Sequence, residues 1–448
     1  MTTKEHTFNK KYIKSIFGAN TSLGDKEAKE TALKAVEQLR LPNRKTSGWE
    51  KTDLTELLDR KYTKAEFKLV KDEYIRHFSL YGIDSDLLIF NNGFFDEKSS
   101  MIKSAENIYV GSVKRAMMDM PKVVKKYFNT VPSKNENLFN ALNSAYAEDG
   151  FLIYVPDDTT VERPVHIMNF IDAPNGKPAI QTGNLIVLGK NTSIDVINSY
   201  HTIEADNSFT NVLTEVILEE NAALNYHIFQ GEGSRAGQYN KTIVKQEKSS
   251  AFKAHTTTMC GLTVKNEIQV DLTAEDCYAE ADGIYMPDHR EVMDNSVLFN
   301  HNKPNGKSSQ MYRGIIDDYS RAIFTGKIYV AQDAQHTDAE QSNRNILVSD
   351  DARAYSRPQL EIYADDVACA HGYTVGQIDK ESMFYLRSRG ISKRNAQRLL
   401  LVAFISEVLA KVTVEPYRQY INYLVNQRLR GEDMETLCQV KICPSCRD

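Results

Sequence analysis

Between Phe151 and Ile378 the chain repeats one short device: an apolar run rich in Val, Ile, Tyr, Phe and Thr, a polar corner of Asp, Glu, Asn or Ser, and a second alternating run. It occurs as LIVLGKNTSIDVI from 185, EVILEENAALNYH from 215, TIVKQEKSSAFKA from 242 and QVDLTAEDCYAEA from 269. It occurs again as GIIDDYSRAIFTG from 314, NILVSDDARAYSR from 345 and EIYADDVACAHGY from 361. Runs of β-branched and aromatic residues bounded by such corners read as strands. A strand-corner-strand unit cannot bury its own apolar face, so repetition forces the units to stack around one continuous core. The predicted fold class is mainly β with flanking α, a β-helix or similar solenoid, with uneven spacing between units.

The flanks have a different period. Residues 1–145 read as a mostly helical N-terminal domain, 146–378 as the β-helix core, 379–430 as a C-terminal helical domain and 431–448 as a cysteine-bearing tail. In SLGDKEAKETALKAVEQLRLP, Ala28, Ala32, Ala35, Val36 and Leu39 recur near helical spacing and Pro42 follows the end. After Asp379, ESMFYLRSRG predicts a short helix closed by Gly390, and Ser392 is the N-cap expected for the next. That next helix carries a broad apolar face through Leu399, Leu400, Val402, Ala403, Ile405, Val408 and Leu409, and Tyr417, Tyr420, Ile421, Leu424 and Val425 repeat the spacing. Such a pair either caps the end of the solenoid or offers an apolar groove to a partner.

Composition narrows the function classes. With 448 residues and 41% hydrophobic content the chain can bury a large core in two or three structural units. Lys and Arg number 55 against 60 Asp and Glu, a net charge of -5 that gives no basic field for nucleic acid. MTTKEHTFNKKYIKSIF lacks the uninterrupted apolar run of a signal peptide, and no stretch has the apolar length of a membrane span, so the expected address is the cytoplasm. Six scattered cysteines do not form a disulfide scaffold and are expected to be reduced.

Familiar catalytic signatures are missing: there is no GxSxG elbow, HExxH helix or Rossmann glycine set. Gly306-Lys307-Ser308 ends like a phosphate loop, yet the position required for its first glycine holds His301 and the sequence beyond it reads as strand. Acid pairs Asp317-Asp318, Asp350-Asp351 and Asp365-Asp366 could serve a polysaccharide-active β-helix enzyme, but Asp also belongs at tight corners for its side-chain turns and tolerance of unusual backbone angles. Cys438, Cys443 and Cys446 have C-x4-C-x2-C spacing, a weak metal-ligand candidate without a fourth donor nearby. Cys260 and Cys277 lie in strand-like surroundings and read as small buried hydrophobes. Cys369 and His371, two apart in a strand, project from one face, and a thiolate beside an imidazole suits zinc or an iron-sulfur unit; two donors alone are too few.

Residues 301–391, from HNKPNGKSSQMYRGIIDD through PQLEIYADDVACAHGYTVGQID to FYLRSRGI, resemble the core of the SufB/SufD family of iron-sulfur cluster assembly proteins. The match is nearer the SufD branch than the SufB branch, LPNRKTSGWEKTDL is similar to the N-terminal domain of that branch, and the weaker likeness continues to about residue 430. The resemblance implies a right-handed parallel β-helix between helical regions. It implies a heterodimer with SufB through the β-helices, a homodimer being the state open to the isolated chain, and a SufC ATPase docked on the C-terminal helices through Leu399, Leu400, Ala403 and Leu409. It places the histidine of the C-x-HG motif, here His371, with Cys369 beside it, at the seam where a transient iron-sulfur cluster shared with SufB is built; no cofactor is expected to stay on this subunit alone. No segment matches the SufB cysteine motifs, so Cys260 and Cys277 receive no sulfur-accepting role. The remaining alternative within the family is a SufB-like scaffold acting as a homodimer.

Overall fold

The computed structural model describes residues 10–17, 23, 26–52, 54–104, 107–128, 130, 137–174, 176–205 and 207–431. The N-terminal region contains helices α1 (Lys10–Phe17), α2 (Lys26–Gln38), α3 (Thr55–Leu58), α4 (Asp72–Phe78), α5 (Val113–Asp119), α6 (Pro121–Tyr127) and α7 (Leu138–Tyr146). Short strands are interleaved with them: β1 (Thr63–Lys64), β2 (Asp86–Asn91), β3 (Phe94–Phe95) and β4 (Tyr109–Ser112). The chain then runs through β5 (Phe151–Val155), β6 (Val165–Ala173), β7 (Pro178–Leu188), β8 (Ser193–Ala205), β9 (Phe209–Leu218), β10 (Ala223–Gly231), β11 (Gly237–Gln246) and β12 (Ala251–Cys260). It continues through β13 (Thr263–Leu272), β14 (Tyr278–Tyr285), β15 (Val292–His301), β16 (Lys307–Ile316), β17 (Arg321–Val330), β18 (Asp338–Leu347), β19 (Arg353–Ile362) and β20 (Ala368–Gly376). Helices α8 (Lys380–Ser388), α9 (Lys393–Leu409) and α10 (Glu415–Leu429) follow.

From β5 onward, odd and even strands separate into two sheets. One has the order β19-β17-β15-β13-β11-β9-β7-β5-β4 with β1 beside β7, and the other has the order β20-β18-β16-β14-β12-β10-β8-β6-β2-β3. From β5 to β20 every ladder is parallel, so the chain winds a parallel β-solenoid of about seven turns. Inward side chains such as Val212, Val216, Tyr226, Val244, Phe252, Val270 and Phe299 fill the space between the sheets.

The corners explain the repeat. Where odd strands turn into even ones, Asn191, Asn221, Ser249, Asp276, Asn305 and His336 hold φ between 54° and 61°, one per turn. Asn and Asp accept this left-handed conformation more readily than most residues. Asn191 Nδ2 donates to Asp158 Oδ1 at 2.7 Å and Asn221 Nδ2 to Asn191 Oδ1 at 2.9 Å, so the corner amides bond from turn to turn. Asp318, in one of the acid pairs, occupies the opposite corner with φ 50°. Gly306-Lys307-Ser308 is corner and strand start: Lys307 opens β16, and the Ser308 hydroxyl meets His301 Nε2 at 2.8 Å.

The flanking helices cover the outer faces of the sheets. Trp49 and Phe139 pack with Phe209 and Tyr239 on the first sheet, and Lys265 Nζ lies 4.7 Å from the Trp49 ring while pairing with Asp294 Oδ2 at 2.9 Å. On the second sheet, Leu401, Ile405, Val408 and Leu409 of α9 and Tyr417, Ile421, Leu424 and Val425 of α10 close over Ile197, Phe229, Met259, Ile284 and Ile315. Ser392 caps α9 by accepting from the Asn395 amide, and Gly390 ends the preceding turn with φ 84°. The helix pair therefore lies along a flank of the solenoid rather than across its end, because its wide apolar stripe matches the apolar outer columns of the sheet. Among the described residues, β19 and β20 end their sheets with no strand beyond them.

Candidate functional site

The free end of the solenoid gathers the residues that the sequence singles out. In β18 the inward positions Ala339, Gln341, Asn343 and Asn345 are buried. The parallel register sets Cys369 over Ala339, His371 over Gln341 and Tyr373 over Asn343, so Cys369 and His371 face the same way as buried positions one turn earlier. Their Cα atoms are roughly 6.6 Å apart along the strand. With no strand above, His371 is exposed, whereas Cys369 stays half-buried beside Val330, Ala339 and Ala364. Burial, and secondarily the negative charge of Asp338, push the Cys369 thiol up.

The lumen beneath this end is polar. The inward column that begins with Tyr226, Ala254 and Ala281 continues as Gln310, Gln341 and His371. Beside it the Tyr285 hydroxyl donates to Asn345 Oδ1 at 2.7 Å, Asn345 Nδ2 donates to Asn343 Oδ1 at 2.8 Å, and Asn343 Nδ2 donates to the Tyr285 oxygen at 2.8 Å. Two glycines make the space. A Cβ at Gly314 would lie 2.2 Å from the Tyr285 ring and 2.3 Å from Asn345 Oδ1, and one at Gly326 would lie 2.6 Å from Gln310 Oε1.

Of the residues expected on a docking face of the C-terminal helices, Leu399 is 45% exposed, Ala403 is exposed and Leu400 is half-buried. Leu409 is different: at 6% exposure it packs with Val408 and Val412 against the second sheet and belongs to the fold rather than to an outer surface. Cys260 and Cys277 are buried, and burial pushes the Cys277 thiol up. Cys438, Cys443 and Cys446 lie outside the described residues.

One grouping was not foreseen from the sequence. Asp288, His289 and Asp318, on successive corners, bring their ligand atoms within 4.8 Å of one another. Asp288 Oδ1 is already shared, at 3.0 Å from His289 Nδ1 and 2.7 Å from an Arg428 guanidinium nitrogen, so the cluster serves as a charge-matched latch for the end of α10. The signal was obscured because Asp288 and His289 are far in sequence from Asp318 and only the turn-to-turn stacking unites them.

Cys369 and His371 offer sulfur and imidazole donors at an uncovered rim, two of the four donors that a tetrahedral soft-metal site requires. Comparison with known proteins places the chain in a family. Residues 170–404 match the family model described as the SUF system FeS cluster assembly SufBD core domain, and residues 11–167 match the SufBD protein N-terminal region. An iron-sulfur cluster assembly SufBD family protein of Synechocystis is 28% identical over 400 residues, covering 87% of this chain and 88% of that protein. The iron-sulfur cluster assembly protein SufD of Escherichia coli is 27% identical over 395 residues, 87% of this chain and 90% of its own length. The Bacillus subtilis SufD protein is 26% identical over 314 residues, 69% of this chain and 71% of its own.

Proposed function

The chain belongs to the SufBD family of the SUF system for iron-sulfur cluster assembly, and on that premise we propose that it is a scaffold subunit, without catalysis of its own, that contributes half of a seam on which a nascent cluster is built. The cluster is cargo rather than a resident cofactor. The paralogue SufB supplies the other half, pairing through the solenoid ends, and a SufC ATPase docked on the C-terminal helices supplies ATP hydrolysis.

The observation that carries this reading is the free rim itself. β20 holds an exposed imidazole and a half-buried thiol on one face at the edge of a sheet. An unpaired edge strand presents backbone donors and acceptors to a second chain, so an incomplete donor set becomes complete only on docking. Exposed apolar side chains collect nearby: Ile362, Tyr363, Tyr373 and Val375 on the rim and Phe384 and Tyr385 on α8. Patches of this kind mark association surfaces. Leu399 and Ala403, exposed on α9, and Leu400 between them and the packed side offer a separate surface for the ATPase. A second copy of this chain could occupy the same rim in isolation.

The test is anaerobic purification of the native assembly followed by iron and sulfide analysis, with wild type beside His371→Ala. Iron and sulfide present in the first and lost from the second, with partner subunits retained in both, support the reading. Equal iron and sulfide in both removes His371 from cluster assembly.

A further inference from the structure

Gln341 is 2% exposed, and neither the nitrogen nor the oxygen of its side-chain amide has a hydrogen-bond partner. Buried amides are almost always paired, so an unpaired one calls for a cause. Its neighbours leave few choices. Gln310, one turn below, points its amide nitrogen across the lumen toward the Lys327 carbonyl at 3.5 Å, past the bare Cα of Gly326; its own carbonyl oxygen has no partner and can only accept, so it offers a place for the Gln341 nitrogen but none for the Gln341 oxygen. Asn343 and Asn345, farther along the same strand, are tied to each other and to Tyr285. For the Gln341 carbonyl oxygen the remaining polar neighbour in the column is the one above: His371, in register with Gln341 on β20 and facing the same way. Ladder neighbours stand about 4.8 Å apart, within reach of a glutamine amide and an imidazole.

We propose that Gln341 is the positioning residue for His371: by side-chain rotation its carbonyl, without a partner in this structure, accepts from one ring N–H and so leaves the other nitrogen, with its lone pair, facing the rim. A metal-ligating histidine ordinarily has its second ring nitrogen tied in this way, which fixes tautomer and ring direction. Gln341 itself touches no metal. The inference rests on the reading of His371 as a cluster-facing ligand for its purpose, but not for its geometry.

The experiment uses the full-length chain labelled with 15N-histidine, with the His371 ring signals assigned by their loss in His371→Ala. Wild type is expected to show one dominant neutral tautomer at His371. Gln341→Leu should move the ring nitrogens toward the mixed shifts of an unconstrained imidazole, and Gln341→Glu, which keeps an acceptor at the same reach, should restore the single tautomer. In the assembly purified anaerobically, Gln341→Leu should lower iron affinity by about 10- to 100-fold, the usual effect of removing such a partner. Identical His371 tautomer populations in wild type and Gln341→Leu, with both proteins folded by thermal melt, overturn the proposal. A tautomer shift in Gln341→Leu, combined with unchanged iron in His371→Ala, upholds the positioning role while removing the cluster reading.

Discussion

His255 provides a sharp test of how the C-terminal helices are held. It lies on the outer face of β12, between His227 and Asp282 in one column, under the α9–α10 pair. The ring is 4% exposed, and both of its nitrogens lack a partner. Burial first, and then the neighbouring His227, lower its pKa to about 3. The other charged groups around it are Glu280, whose charge raises its pKa, and Lys411, which lowers it and pairs with Asp282 at 3.1 Å. A histidine depressed in the folded state is neutral there while the unfolded chain takes up a proton. Its stability contribution is therefore intact above about pH 6.5 and is lost as pH falls toward its folded value. Between pH 7 and pH 5 this one group costs about 2 kcal/mol, from 1.36 kcal/mol per unit below the unfolded pKa. His255→Leu should remove that slope. Glu232 and Glu291, both raised by burial to about 8, act with the opposite sign but are common to both proteins, so they cancel in the difference. The assay is native-state hydrogen exchange of α10 and β12 amides from pH 7.5 to 5, with intrinsic rates divided out. The wild-type minus variant opening free energy should fall by about 2 kcal/mol on acidification. Parallel profiles would refute the claim that His255 is buried and unpaired beneath the helices.

Ile405→Ala, in the same interface, should destabilise the packed helix pair by about 2–5 kcal/mol, read from urea unfolding. Gly314→Ala drives a methyl into Tyr285 and Asn345 and should cost about 1–3 kcal/mol by overpacking, with changed exchange at β18 and β20. Leu399→Asp should abolish capture of the SufC ATPase while moving overall stability by about 0.5 kcal/mol or less, whereas Leu409→Asp should lose the fold of the helix pair itself; a Leu399→Asp protein that still binds the ATPase would place docking on another surface.

The solenoid was legible because its cause is local. Each repeat pairs apolar strands with a polar corner, and the residues that take positive φ, such as Asn191, Asn221 and Asp276, stand in those corners. The uneven spacing has a simple origin. The repeats beginning at 185, 215, 242, 269 and 361 span the odd-to-even corner, while those at 314 and 345 span the opposite one, so two interleaved series share one strand-corner-strand pattern. The shared face of Cys369 and His371 followed from strand periodicity alone. What lay beneath them did not: that Gln341 sits under His371 with its amide unpaired depends on register between strands thirty residues apart. The side chosen by the α9 stripe was equally hidden. Leu399 and Leu409 are both leucines on one predicted face, yet only contact with the sheet separates the exposed residue from the buried one.

The most direct measurement is hydrogen exchange across residues 368–376 in the isolated chain and in the anaerobically purified assembly. The rim amides of β20 should slow by about tenfold or more in the assembly, a gain of about 1.4 kcal/mol in local protection. Unchanged exchange at β19 and β20, with protection gained on some other face, would mean that the open end of the solenoid is not where the partner binds.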